Sequence, residues 1–118
     1  MELMKLRPFI PSGKDYRLAQ RFFEDLGFEQ LYSDEGLSIF RKGEQEFFLQ
    51  NFHNEEFQGN YMVELLVADL DGWWAHIQKS LLNKYPIKAK EPTVYPWGKR
   101  EIHLTDPSGV CWHISEIK

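Results

Sequence analysis

The clearest pattern in the chain is a pair of alternating runs near its C-terminus. From Arg100 to Thr105, Ile102 and Leu104 are apolar while Glu101, His103 and Thr105 alternate with them. From Val110 to Ile117, Trp112 and Ile114 are the large apolar pair, with Cys111, His113 and Ser115 between and after them. Period two predicts strands with one apolar and one polar face. Asp106-Pro107-Ser108-Gly109 predicts the turn that joins them, since Pro suits the first central position and Gly tolerates a positive φ at the exit. In the register that sets Thr105 opposite Cys111, His103 lies opposite His113. The polar face of this hairpin, with two histidines and a glutamate, is the first place to look for function.

Upstream, the pattern supplies two similar halves. Lys5 to Pro11 reads as an edge strand, because Pro8 and Pro11 remove ladder donors. Asp15 is a predicted N-cap, and Leu18, Ala19, Phe22, Phe23 and Leu26 recur at helical spacing up to Gly27. Phe28–Tyr32, Leu37–Lys42 and Glu46–Phe52 read as strands, split by Asp34-Glu35-Gly36 and Gly43-Glu44. His53 to Asn60 is polar and reads as a linker. The order then repeats. Tyr61–Ala68 is a strand, and Asp69 or Asp71 caps a helix striped by Leu70, Trp74, Ile77 and Leu81 that is expected to run to Pro86. Ile87–Tyr95 and the two arms of the final hairpin complete three further strands. A βαβββ unit present twice is a fold-level signal that neither half carries alone. The expected organisation is one domain over 1–118, with module one at about 1–53 and module two at about 60–118.

Composition narrows the function classes. A chain of 118 residues with 42% hydrophobic and 15% aromatic residues can bury a core without staples. With 14 basic against 18 acidic residues, net charge −4, and no basic run beyond Lys99-Arg100, nucleic acid is not an expected partner. No apolar run approaches the ~20 residues of a membrane span, and no signal-like segment opens the chain. The lone cysteine, Cys111, suits a reducing compartment, so a cytoplasmic protein is expected.

Around the hairpin, Trp97-Gly98, Arg100-Glu101 and Asp106-Pro107-x-Gly109 form a motif that resembles the bleomycin-resistance-like branch of the glyoxalase/bleomycin-resistance/dioxygenase superfamily, the vicinal oxygen chelate proteins. Arg7-Pro8-Phe9-Ile10-Pro11-Ser12 and Arg21-Phe22-Phe23-Glu24-Asp25-Leu26-Gly27-Phe28 resemble that superfamily's opening strand and helix, so the likeness spans the chain. The resemblance implies an α+β fold of two βαβββ modules, whose curved sheets face one another around a shared cleft with helices outside. It also implies a homodimer that often completes the cleft. Metal enzymes of the superfamily hold their ion at four positions, which fall here near Pro8, Gln50, Met62 and His113. Only His113 is a strong ligand and Gln50 a possible one, so neither a metal nor another cofactor is expected.

If the polar alternation marks the cleft, Phe48, Gln50, Met62, Glu64, Glu101, His103 and His113 face it, Glu46 adds charge, and Trp97 sits on its rim. Acidic and imidazole groups on an aromatic floor suit a cationic, partly planar organic ligand. The expected function is therefore metal-independent capture of such a small molecule, of the kind that sequesters a bleomycin-like antibiotic. The alternative is a metal-dependent lyase or dioxygenase of the glyoxalase type with an atypical ligand set. For that, His103 and His113 with Glu64 or Glu101 are the residues available. Trp73 lies off the stripe of the second helix and is expected at an interface, and Cys111 reads as structural. His53 and His76 are given no role.

Overall fold

The structure is a computed structural model that describes residues 1–117. Its elements run β1 (Phe9–Pro11), α1 (Tyr16–Leu26), β2 (Glu29–Ser33), β3 (Leu37–Lys42), β4 (Gln45–Gln50), α2 (Glu55–Asn60), β5 (Met62–Val67), α3 (Leu70–Ser80), β6 (Lys88–Val94), β7 (Arg100–Thr105) and β8 (Cys111–Glu116). They form two four-stranded sheets, ordered β1-β4-β3-β2 and β5-β8-β7-β6. In each sheet the first strand of a module runs parallel to its last, and the remaining pairs are antiparallel. The repeated order is the internal duplication that the alternation patterns predict. Even the irregularities repeat: the β2–β3 and β6–β7 ladders, each pairing an edge strand with its neighbour, both shift register once.

Burial tracks the sequence pattern. Phe47 and Leu49 of β4, Ile102 and Leu104 of β7, and Trp112 and Ile114 of β8 point into the core, and the residues between them do not. Helix α1 starts where the Asp15 carboxylate accepts from Leu18 N at 3.0 Å. It stops at Gly27, whose φ of 123° suits a residue without Cβ. Its buried stripe of Ala19, Phe22, Phe23 and Leu26 lies on the apolar face of the first sheet. Asp69 caps α3, accepting from Gly72 N at 2.9 Å. The modules share one core, with Phe23 and Phe47 of the first packed on Trp112 of the second at ring distances of 5.4 and 5.8 Å. The helices cover the apolar faces, and the sheets are not closed onto one another.

Four local expectations are corrected. Only Phe9–Pro11 of the first run forms a strand. Lys5 and Arg7 instead reach Glu46, at 2.6 and 3.4 Å. The linker contains α2, capped by Asn54, which accepts from Phe57 N, and Glu55 and Glu56 complement the dipole of its first turn. Helix α3 ends at Ser80 rather than at Pro86, because turns at Leu81–Tyr85 carry Leu81 and Tyr85 into the core. His76 is not idle on the helix surface, since its Nε2 lies 2.7 Å from the Asp25 carbonyl at the end of α1.

The junction between modules is built on close backbone approach. A Cβ at Gly13 (φ +81°) would lie 2.8 Å from Ser108 Cβ, so only glycine fits. The buried Gln58 side chain of α2 donates to Ser108 O at 2.8 Å and accepts from Asn54 N at 2.8 Å.

Candidate functional site

The polar face of the second sheet gathers six of the eight candidate site residues. In the β7–β8 ladder His103 pairs with His113 and Thr105 with Cys111, the register expected from the alternation. The parallel β5–β8 ladder sets Met62 beside Cys111 and Glu64 beside His113. The His103 and His113 rings are 4.2 Å apart at their centroids, tilted by 53°.

Glu101 lies beneath them and is 2% exposed. Its Oε1 is 2.8 Å from His103 Nε2 and 3.3 Å from His113 Nδ1, while its Oε2 accepts from the Trp97 indole N–H at 2.7 Å. Burial alone would raise this carboxyl, but hydrogen bonds led by the Trp97 indole and then the imidazoles outweigh it and hold the group at about 2. Burial pushes the Cys111 thiol up, consistent with a structural rather than a nucleophilic cysteine.

The residue that sequence reasoning missed is Tyr95. The Tyr95–Lys99 turn, closed by Tyr95 N to Lys99 O and Gly98 N to Tyr95 O, folds Trp97 back over the sheet. Tyr95 then stacks on Trp97 at 4.9 Å and on His103 at 4.5 Å, with its hydroxyl 3.3 Å from His103 Nδ1. The result is a column, Trp97–Tyr95–His103–His113, standing over a buried carboxylate. Two aromatics flanking a Pro before a Gly were the available signal. The outer Trp97 remains 59% exposed.

Phe48 and Gln50 belong to the other sheet. Phe48 stacks on Phe9 at 4.5 Å and carries the Arg7 guanidinium 4.6 Å above its ring, and Gln50 is exposed. The acidic groups meet cations of the chain itself: Glu46 pairs with Lys5 and Arg7, and Glu64 with Lys99 at 3.3 Å. The face is thus less negative than the residue types suggest. Trp73 is partly buried against the core, with Lys42 Nζ 5.7 Å from its ring centre. A cavity of about 1020 Å³ runs along the junction of the two modules beneath the N-terminal segment, with Lys5, Glu46, Val63, Glu64 and Trp112 among its walls. Of the candidate residues only Glu64 lines it.

Two βαβββ modules sharing one core are a fold that bleomycin-binding proteins also have. The chain is similar to a bleomycin-binding protein solved with bleomycin, at TM-score 0.82 and 20% identity over 98% of this chain and 100% of that one. It is also similar to a bleomycin resistance determinant encoded on transposon Tn5, at TM-score 0.80 and 23% identity over 98% and 99% of the two chains. Lactoylglutathione lyase from Agrobacterium tumefaciens matches at TM-score 0.72 and 18% identity, over 98% and 96%. No protein-family model and no curated protein matches the sequence.

Proposed function

We propose that this chain captures a small, partly planar organic molecule against the polar face of its second sheet. The observation that carries the reading is the column ending in the exposed Trp97, an aromatic platform fixed from below by the Trp97–Glu101 hydrogen bond. A platform held in place spends little entropy on ordering when a ligand stacks on it. Met62 and Glu64 supply the surrounding surface within the chain, Phe48 and Gln50 reach the ligand only from the first sheet of a second copy, and Glu64 meets a cationic group on the ligand by giving up its exposed Lys99 partner. Capture requires no ion at the four positions that metal enzymes of this fold use, since Pro8 and Met62 are not ligands for a borderline metal. The likeness to bleomycin-binding proteins makes bleomycin the first probe.

The two modules work as one unit, because they share one core. The proposal extends to a homodimer in which a second copy brings its first sheet over the second sheet of this chain. Both polar faces point away from the shared core, so one chain does not close them around a ligand. The free Cys111 suits the reducing cytoplasm. Among the described residues no helix is long and apolar enough to cross a membrane.

The test is calorimetry of chelator-treated protein with metal-free bleomycin and with planar cationic dyes. Saturable binding, weakened about tenfold or more by Trp97→Ala, supports the reading; stacking contacts are worth roughly 1–3 kcal/mol. Absence of binding across the panel, or binding indifferent to Trp97→Ala, overturns it.

A further inference from the structure

We propose that Glu101, His103 and His113 form a site for one borderline divalent cation of the zinc class. The donor set comes first. Two imidazole nitrogens and a carboxylate oxygen are the combination such ions favour. One ligand atom from each residue lies within 4.8 Å of the other two.

The spacing fits as well. Bonds of about 2.0–2.1 Å around a tetrahedral ion separate ligand atoms by about 3.3–3.4 Å. Glu101 Oε1 is already 2.8 Å from His103 Nε2 and 3.3 Å from His113 Nδ1. Small side-chain rotations therefore suffice, and the three residues sit on β7 and β8, the two inner strands of their sheet. A rigid backbone holds them there.

Outer contacts hold the donors in place. The Trp97 indole keeps Glu101 Oε2 occupied and leaves Oε1 toward the imidazoles. The Tyr95 ring stacks on His103 at 4.5 Å with its hydroxyl 3.3 Å from His103 Nδ1, and this packing holds the imidazole in its orientation. Ser115 stands directly across the ladder from Glu101, and its hydroxyl is buried without a well-formed hydrogen bond among the described residues. The two imidazoles are 25% and 24% exposed, so an ion can enter and keep a position for water or a further ligand.

This trio is not the four-position arrangement implied by the superfamily resemblance. It shares His113 with that set, takes its other two ligands from β7, and involves neither Pro8 nor Met62. It also stands apart from the capture of an organic molecule, because it is tested with the metal alone.

The experiment titrates zinc chloride into chelator-stripped full-length protein, tracking heat, bound metal after desalting, and the histidine imidazole NMR signals. The expected result is one equivalent per chain, with the His103 and His113 signals moving and those of His53 and His76 unmoved. His103→Gln and His113→Gln, at partly exposed positions, each weaken binding about tenfold or more, whereas His53→Gln and His76→Gln do not. Phe48→Ala, on the other sheet, leaves zinc binding intact even where it impairs binding of an organic ligand, which separates the two readings. No saturable zinc binding, or binding that survives loss of His103 and His113, overturns the proposal. If Glu101→Gln fails to fold, the histidine signals of the native protein still decide.

Discussion

At the scale of single residues, Asp106 shows how one buried carboxylate can set a hairpin. Its Oδ1 accepts from Ser108 N, Ser108 Oγ, Gly109 N and Val110 N at 2.7–3.1 Å, and its Oδ2 accepts from the Trp112 indole at 2.9 Å. Burial pushes its carboxyl up from the usual range, so the donors are what make an acid tolerable at 3% exposure. The turn is thereby tied to the largest ring in the core. Asp106→Ala leaves several of these donors without a partner, and an unpaired buried group costs about 1–3 kcal/mol. The expected loss is about 3 kcal/mol or more, measured by urea unfolding. Because the β7–β8 register depends on this turn, the same variant should also disperse the His103 and His113 signals.

At the scale of elements, the end of α1 is fastened both to α3 and to the turns beyond it. Asp25 bonds the Tyr85 hydroxyl and pairs with Lys84 at 2.7 Å, while its carbonyl meets His76 of α3. The Lys84 hydrogen bond, and then that of Tyr85, hold the Asp25 carboxyl below its ordinary range, and burial pushes the Tyr85 phenol up. A carboxyl depressed in the folded state contributes stability above its unfolded value of about 3.9 and loses it as pH falls through the lowered folded value. Asp25→Asn should therefore cost about 1–2 kcal/mol at pH 7 and progressively less below about pH 4. Urea midpoints of both proteins from pH 7 down to pH 3 check this. Parallel curves for the two would refute it.

At the scale of the whole molecule, the shared core and the two outward polar faces motivate self-association. Exposed Phe9, Met62, Leu66 and Trp97 lie on these strands or at their rim. A two-fold pairing that brings unlike faces together covers both at once. Sedimentation at micromolar concentration should give twice the 14.1 kDa chain mass. A monomer at that concentration would count against the dimer while leaving the zinc titration unaffected.

Much of the fold was legible in the chain itself, and for a local reason. Alternation at period two and stripes at helical spacing report which way each side chain must point, so the strands, both long helices and the His103–His113 register come from neighbours in sequence. The cap at Asp15 and the turn at Asp106-Pro107-Ser108-Gly109 are equally local. What only the tertiary structure decided depends on residues distant in sequence. The pairing of Glu46 with Lys5, and of Glu64 with Lys99, neutralises carboxylates that looked free. The return of Tyr95 and Trp97 over β7 makes a column from residues read separately. Phe48 and Gln50 lie on the first sheet, as their place in module one implies, but alternation gives the face of a strand and not which sheet stands opposite. Glu101 was legible as a polar residue facing one way. Its burial between two imidazoles arises only once the indole of Trp97 closes over it.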